Sequence, residues 1–345
     1  MSKWKANKLE LNLYGTSHDE KIGIVVKGLP KIKINNDKLT SFMARRQGGQ
    51  GLGTTERKET DEPQFIRGVV DGQITDDEVE AVIFNKNKRS NDYNDLYGKP
   101  RPSHADYVSY IKEGTLDYRG GGRFSGRLTT PLTVVGGILE DYFSTLGVKA
   151  TAYIRSVGDV KCQSYKDEGF DLDTLPPNGL SVSAIDEIEK ARKNKDSVGA
   201  VVECVIRGVK PGIGNDYFEG LESSISSLIY AIPGVKGVEF GEGFDLSKLH
   251  GSAANDPLCF DENGNIRTLT NNAGGINGGI SNGEDITLSI AFRPTPSISK
   301  SQNTVDLVNK TNTTIEIKGR HDCCIAIRAL PVVESMCYIA LFDAM

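Results

Sequence analysis

The sequence predicts an α+β fold with several sheets and helices packed over them. Stretches rich in β-branched residues alternate along the chain with stretches of helical spacing, which favours mixed sheets and helices over an all-helical or all-strand protein. The chain has 345 residues, of which 38% are hydrophobic and 25% are charged. That composition is typical of a globular protein, and the length is sufficient for a large buried core.

The predicted strands are short apolar runs bounded by turn residues. The run at 286–294 alternates, so that its apolar residues share one face. The predicted strands are 22–30, 79–85, 148–157, 199–209 and 286–294, and the shared face of the last one holds Ile286, Leu288, Ile290 and Phe292.

The predicted helices place apolar residues three or four positions apart. In the segment 131–147 these are Leu132, Val135, Leu139 and Phe143, and Gly147 is expected to end the helix as its C′ residue. Further helices are predicted at 184–195, 217–231 and 331–345.

Two long polar, glycine-rich segments, 43–63 and 85–127, have no apolar period. Loops of this length in a compact domain are usually either functional or disordered. The chain shows no repeat and no obvious linker, so a single domain spanning 1–345 is expected.

The charge pattern restricts the partners. A net charge of −5 and a pI near 5.6 argue against a nucleic-acid-binding protein, and no apolar run approaches the roughly 20 residues of a membrane span. The N-terminus lacks the apolar region of a signal peptide. Six cysteines without a CxxC pair indicate a reduced, cytoplasmic protein without a disulfide framework or zinc site.

The segment 101–127 concentrates cations beside three consecutive glycines, Gly120 to Gly122. Glycine lets backbone N–H groups approach a ligand closely. If a helix begins here, Arg123 and Arg127 can face the same anion and Ser125 can add a hydroxyl. The alternative is a flexible turn followed by a solvated helix face. The cations in question are Arg101, Lys112, Arg119, Arg123 and Arg127.

A second glycine cluster at 274–283 does not match the GxGxxG dinucleotide pattern and is interpreted as a tight turn before the strand at 286–294. The adjacent Cys323 and Cys324 are interpreted as core residues, because a bridge between neighbouring cysteines is strained.

Three of the four histidines, His18, His104 and His321, lie in polar segments. None has a metal-ligand spacing, and no GxSxG elbow accompanies them. Histidine near arginine suits acid–base work close to neutral pH, since nearby cations favour its neutral form. For each histidine, the alternative is a non-catalytic position, either on the surface or hydrogen-bonded in the core. The residues therefore indicate an anion-binding site built from loops, without specifying a reaction.

Taken in order, these segments resemble the chorismate synthase family. GTSHDEKIGIVVKGLP resembles the family's N-terminal G-E-S-H-G segment, and RRQGGQGLGTTERKETDE resembles its R-R-P-G…T-x-R-K-E-x-D-E loop. NKRSNDY, RPSHADY, DYRGGGRFSGR, NNAGGINGGISNG, AFRPTPSI, QNTVD and GRHDCCIAIRALPVVESM resemble the remaining motifs in the family's order. The resemblance extends from about Tyr14 to the C-terminus.

The resemblance implies a β-α-β sandwich with antiparallel sheets, surrounding helices and long Gly/Arg-rich active-site loops, assembled as a homotetramer. It implies conversion of 5-enolpyruvylshikimate 3-phosphate to chorismate and phosphate by anti-1,4-elimination, the last step of the shikimate pathway. Reduced FMN is required although the reaction has no net redox change. NADPH is implied only for bifunctional members that reduce their own flavin.

The resemblance also implies residue roles. His104 would protonate the reduced flavin near N1, His18 would protonate the departing phosphate, and Asp322 would work with flavin N5, with Ser17 and Ser125 as supporting hydroxyls. The implied flavin contacts are Arg123, Phe124, Ser125, Ala253, Ala254, Gly278, Arg293, Pro294, Thr295, Pro296, Ser297 and Arg320. The implied substrate contacts are Arg46, Arg57, Arg127 and Arg328, with Arg46 also associated with NADPH.

The sequence departs from the family pattern near these motifs, and none of the departures removes His18, His104 or Asp322. Two alternatives stay open: a flavoprotein with net redox chemistry, and a catalytically lapsed homologue that only binds flavin or anions. The departures are Thr16, Asp19, Gln47, Gly48, Leu52, Phe124, Pro296 and Cys323.

Overall fold

The computed structural model describes residues 2–48, 61–85, 97–114, 121–317 and 321–345. The helices are α1 Asn36–Ala44, α2 Asp106–Glu113, α3 Thr129–Thr145, α4 Val182–Lys193, α5 Leu221–Ile229, α6 Gly251–Ala254 and α7 Ala326–Ala344. The strands are β1 Ser2–Lys5, β2 Glu10–Tyr14, β3 Lys21–Lys27, β4 Gln64–Arg67, β5 Val69–Val70, β6 Gln73–Ile74, β7 Glu78–Phe84, β8 Lys149–Val157, β9 Val160–Lys161, β10 Ala200–Arg207, β11 Val235–Phe240, β12 Leu258–Phe260, β13 Ile266–Thr268, β14 Ile276–Asn277, β15 Ile280–Ser281, β16 Ile286–Phe292, β17 Gln302–Asp306 and β18 Thr311–Ile315.

Two five-stranded antiparallel sheets form the outer layers. The first has the strand order β1-β2-β3-β7-β4, and the second has the order β11-β16-β10-β8-β9. Between them, α3 packs on β3 and β7, whereas α7 packs on β8 and β10, and the two helices contact each other. The resulting β-α-β arrangement confirms the predicted α+β fold class.

The contact between α3 and α7 depends on a glycine. A Cβ atom added at Gly136 would lie 2.0 Å from the Ser335 hydroxyl oxygen and 2.5 Å from the Ser335 Cα atom. The two helix backbones can approach this closely only because Gly136 has no side chain. Both helices are consequently buried on nearly all sides.

The predicted strands are confirmed with small shifts in their ends, and so is the helix at 131–147. That helix is α3, and Gly147 follows it in the left-handed conformation with φ 74°. The glycine cluster at 274–283 forms the β14–β15 hairpin, with Gly278 and Gly279 at positive φ in its turn. Cys323 and Cys324 are buried as expected.

Two predicted helix starts are wrong. The helix expected from residue 217 begins at Leu221, because Tyr217 has φ 49° and starts a 3₁₀ turn instead. The C-terminal helix begins at Ala326, so Pro331 lies inside it. Proline removes one helical hydrogen bond, and burial of α7 between the sheets offsets that cost.

Two further features differ from the sequence-based expectations: which faces of β16 are buried, and whether the segment 85–127 contains a helix. The face of β16 opposite its predicted core face is buried too, at Thr287 and Ser289. The segment 85–127 is expected to be a loop because of its polar composition, but it contains the helix α2. Within the described residues, no helix combines the length and apolarity needed to cross a membrane.

Candidate functional site

The turn between β2 and β3 carries Ser17 and His18. The Ser17 backbone N–H donates to the Gly122 carbonyl at 3.1 Å, and the Ser17 hydroxyl lies 3.0 Å from His18 Nδ1. Two of the residues that depart from the family pattern stabilise this turn together, since the Thr16 N–H donates to the Asp19 carboxylate at 2.7 Å. The His18 turn is thus attached to the glycine-rich segment that precedes α3.

His104 lies just before α2 and is held by a carboxylate. Its Nδ1 atom is 2.6 Å from Asp106 Oδ1. Asp106 also accepts hydrogen bonds from Arg101 through the backbone N–H at 3.0 Å, Nε at 2.7 Å and Nη2 at 2.8 Å. Burial on its own would raise the pKa of Asp106, but the hydrogen bonds from Arg101 and His104 outweigh burial and lower it. An ionised Asp106 accepts the Nδ1–H of His104 and leaves Nε2 for chemistry.

The end of β16 meets the His104 segment. Arg101 Nη1 donates to the Ser297 hydroxyl at 3.4 Å, and Arg293 Nη1 donates to the Ser103 carbonyl. The expected flavin segment Arg293–Ser297 therefore lies beside the expected acid His104.

A buried cluster of charges joins the end of α1 to the start of α3. Asp61 pairs with Arg46 Nη1 at 3.2 Å and also with Arg127 Nη1. Arg46 further donates from Nε to the Thr129 hydroxyl at 3.0 Å and from Nη2 to the Gly126 carbonyl at 2.5 Å. The pKa of Arg46 is lowered to about 9, first by burial and then by the nearby cations Arg328 and Arg127, while Asp61 opposes the shift.

Arg328 connects this cluster to Asp322. Its Nε donates to the Arg46 carbonyl at 2.9 Å, and its Nη1 pairs with Asp322 Oδ2 at 2.8 Å. The Arg328 side chain is 21% exposed, against 5% for Arg46 and 7% for Arg127. Among these three expected substrate residues, Arg328 is therefore the most accessible to a ligand.

Hydrogen bonds through Asn85 connect the Arg127 guanidinium, and with it the charge cluster, to the His18 turn. Arg127 Nε donates to the Asn85 side-chain oxygen at 3.0 Å, and Asn85 Nδ2 donates to the Asp19 carbonyl at 2.8 Å. The segments bearing His18 and Asp322 thus belong to one connected set of polar contacts. The positive charge of Arg101, from the His104 segment, lowers the pKa of His321, the residue before Asp322.

The side chains of Arg123 and Arg127 do not face one common anion site, contrary to the helical arrangement expected from the sequence. Ser125 has an extended conformation between two 3₁₀ turns, so no regular helical turn relates the two arginines. Arg123 pairs with Glu113 and lies 4.8 Å from the centre of the Phe124 ring, whereas Arg127 turns inward to Asp61.

Three further residues expected to contact flavin, Ala253, Ala254 and Gly278, belong to other segments of the chain. The carbonyls of Ala253 and Ala254 accept hydrogen bonds from Asn272 Nδ2 at 3.4 and 3.2 Å, and Gly278 lies at the β14–β15 turn. Ala254 and Asn277 line a cleft of about 610 Å³. Some expected positions lie outside the described residues, namely Leu52, Arg57, Arg119, Gly120 and Arg320.

Sequence reasoning missed the carboxylates that organise the site. Asp106 is two residues after His104, and this short spacing is the feature of the sequence that could have identified Asp106 as the partner of His104. No spacing rule relates Asp61 to Arg127, because the two residues are 66 positions apart. Only the fold brings them together.

Comparison with known proteins agrees with this arrangement. A family model described as chorismate synthase matches residues 9–345. The chorismate synthase of Thermococcus kodakarensis is 41% identical over 339 residues, covering 97% of this chain and 95% of that protein. The chain belongs to the chorismate synthase family. Membership places it among the lyases of aromatic biosynthesis.

A second relative and a solved structure support the same conclusion. The chorismate synthase of Cytophaga hutchinsonii is 38% identical over 350 residues, covering 99% of this chain and 97% of that protein. A solved structure described as the crystal structure of chorismate synthase matches with a TM-score of 0.76 and 22% identity, covering 99% of this chain and 92% of that one. This structural match supports the fold.

Proposed function

We propose that this chain, acting as one domain over 1–345, is a carbon–oxygen lyase that converts 5-enolpyruvylshikimate 3-phosphate to chorismate and phosphate. The reaction is an anti-1,4-elimination and the last step of the shikimate pathway. The observation that carries the proposal is the cluster of Arg46, Arg127 and Arg328, which connects the His18 turn to Asp322. A substrate with two carboxylates and a phosphate requires several cations on one side of its pocket.

The residues present fit a bound reduced FMN. In the described part of the chain, no atom lies within 4 Å of where a Cβ atom would stand at Gly122 or Gly126, which leaves room for a ligand. Arg123, the exposed ring of Phe124 and Ser125 offer a cation, an aromatic surface and a hydroxyl. Arg293 and Ser297 adjoin His104. Reduced FMN would supply electron density for cleavage of the allylic C–O bond.

Each residue has a distinct role in the proposal. His104 holds a proton at Nε2 beside the flavin, with its Nδ1–H held by Asp106. His18 donates a proton to the departing phosphate, and Asp322, held by Arg328, assists removal of the proton from substrate C6. Proton transfer by positioned groups of this kind typically contributes about 10²- to 10⁴-fold to a rate.

The arginine cluster binds the substrate anions and stabilises charge on the leaving phosphate. Arg328 is the proposed direct contact because of its exposure, with Arg46 and Arg127 behind it. The burial of Arg46 supports a role inside the site rather than on an NADPH surface. NADPH would then be required only if the protein reduces its own flavin.

We also propose a cytoplasmic homotetramer. All six cysteines are free thiols, which supports a reducing compartment. The β12–β13 hairpin exposes Leu258, Phe260 and Ile266 at 72%, 75% and 62%. Phe260 and Ile266 are directly paired across the hairpin, so these side chains form one apolar face of the kind that marks protein–protein contacts. A second copy of the chain is its proposed occupant.

An anaerobic assay with reduced FMN and 5-enolpyruvylshikimate 3-phosphate tests the proposal. Equal amounts of phosphate and chorismate are expected without consumption of reductant. Reductant consumption in proportion to product would indicate net redox chemistry. Bound flavin without product would indicate a lapsed homologue.

The variant His104→Ala tests the assigned acid. Turnover is expected to fall about 10²- to 10⁴-fold, while oxidised FMN still binds, because the ring is proposed to move a proton rather than to hold the cofactor. A turnover equal to that of the unaltered protein would remove His104 from the mechanism.

A further inference from the structure

His321 presents a buried polar atom that has no hydrogen-bond partner in the described part of the chain. Its Nε2 atom has no hydrogen-bond partner among the described residues and almost no exposed surface. Leaving a buried donor or acceptor unpaired is costly, and such groups are rare in folded proteins. His321 immediately precedes Asp322, one of the proposed site residues, so the unpaired atom belongs to a segment at which a ligand is proposed to bind.

The surroundings of His321 indicate its charge and the charge of its partner. Burial lowers the pKa of His321, the positive charge of Arg101 lowers it further, and Asp322 opposes the shift. The imidazole is therefore neutral at pH 7 and has a single N–H. Arg101, whose charge acts on His321, and Arg328, the ion-pair partner of the neighbouring Asp322, attract anions, so an acceptor oxygen is the expected partner of Nε2.

We propose that His321 is a ligand-binding residue whose Nε2–H donates a hydrogen bond to an anionic oxygen of the bound ligand. This inference rests on the proposed function, since the anionic oxygen belongs either to FMN or to 5-enolpyruvylshikimate 3-phosphate. A neutral donor contacts the anion without adding a further positive charge beside Arg101 and Arg328. The ligand thereby satisfies an atom that finds no partner among the residues that the structure describes.

Two variants, each with a side chain similar in size to histidine, distinguish a role of His321 in ligand binding from a role in protein stability. His321→Leu removes the N–H, whereas His321→Gln retains an N–H donor on a flexible side chain. Three quantities are measured for each: the Tm without ligand, the Kd of oxidised FMN, and the Kd of 5-enolpyruvylshikimate 3-phosphate for the FMN-loaded protein. None of them requires turnover.

For His321→Leu we expect an unchanged or raised Tm, because an unsatisfied polar atom is removed. We expect one of the two affinities to fall about 10- to 100-fold, as for loss of a hydrogen bond to a charged group, and His321→Gln to recover most of it. The affinity that falls identifies which ligand supplies the oxygen. A lowered Tm, or two unchanged affinities in His321→Leu, would overturn the proposal.

The double variant with Asp322→Asn distinguishes direct contact from an effect through Asp322. Direct contact predicts that the fold-losses multiply, whereas disappearance of the His321→Leu effect in the Asp322→Asn background would contradict it. If the unaltered protein binds neither ligand, the proposed function itself fails. If it binds both and His321→Leu binds them equally well, only the role of His321 fails.

Discussion

Asp106 shows how a single carboxylate can orient several side chains of the proposed site. It fixes the ring of His104 through Nδ1 and simultaneously holds the buried Arg101, which reaches Ser297. The proposed acid and the proposed flavin segment are therefore oriented by one residue. The proposed role of His104 thus depends on Asp106, which orients its ring.

The pKa shift of Asp106 predicts a pH-dependent contribution to stability. Because its pKa in the folded protein is below the ordinary value of 3.8, the stabilisation is complete at higher pH and is lost as the pH falls below 3.8. Asp106→Asn should lower the free energy of unfolding by about 3 kcal/mol at pH 7, and by less at pH 3. Urea unfolding at both pH values measures this difference.

Asp141→Asn is the control for Asp106→Asn. Its ion pair with Lys38 is partly exposed, with 49% of the Lys38 side chain and 21% of the Asp141 side chain accessible, so a much smaller loss than for Asp106→Asn is expected. Equal destabilisation by Asp106→Asn at pH 7 and pH 3 would contradict the assigned ionisation.

Arg328 is predicted to govern substrate binding. Arg328→Ala should raise the Kd of 5-enolpyruvylshikimate 3-phosphate about 10- to 100-fold, because a charge-assisted hydrogen bond is lost. The Kd of oxidised FMN should change much less. Titration of each ligand measures the two effects, and Lys190→Ala, on the exposed surface of α4, serves as control. A larger effect on FMN would reassign Arg328 to the cofactor.

At the scale of elements, the crossing of α3 and α7 positions the site from both sides. The start of α3 follows Arg127, and α7 contains Arg328, so a shift of either helix moves a proposed substrate residue. The separation of the two helices is set by Gly136 against Ser335.

Gly136→Ala is predicted to destabilise the protein by about 2 kcal/mol or more, because the new methyl group meets the backbone of α7. Thermal or denaturant unfolding measures the loss. Gly137→Ala, in the same helix, provides the matched control. Its Cβ atom would approach the Leu39 Cδ1 atom at 2.7 Å, a side-chain end that can move, so a smaller loss is expected. A milder effect at Gly136 than at Gly137 would argue against a close backbone contact.

At the scale of the whole molecule, the exposed hairpin β12–β13 is predicted to mediate assembly. Phe260→Asp should shift the proposed homotetramer to smaller species, because burying an unpaired carboxylate in an apolar contact is costly. Size-exclusion chromatography with light scattering measures the mass in solution. Val182→Asp is the control, since Val182 is equally exposed at 76% but lies on α4. An intact tetramer for Phe260→Asp would exclude this hairpin from the interface.

Much of the fold followed from local pattern. β-Branched runs identified the long strands, and helical spacing with a terminal glycine identified α3. Helix α2 was missed because its apolar residues Tyr107, Val108 and Ile111 are exposed and form no buried stripe. The early start of α7 was missed because Pro331 is a helix-ending signal locally, whereas burial of the whole helix outweighs it.

The sequence by itself determined the α+β class, the glycine turns and, through the ordered motifs, the family. These depend on backbone preference and on residues near one another in the chain. Only the tertiary structure decided that Asp61 joins Arg46 to Arg127, that Arg328 holds Asp322, and that Arg123 turns away from Arg127. The Asp61–Arg127 contact spans 66 positions, and the Asp322–Arg328 contact, six positions apart, joins a loop residue to α7. Neither contact follows a regular spacing, and their geometry is fixed by the packing of the helices between the two sheets.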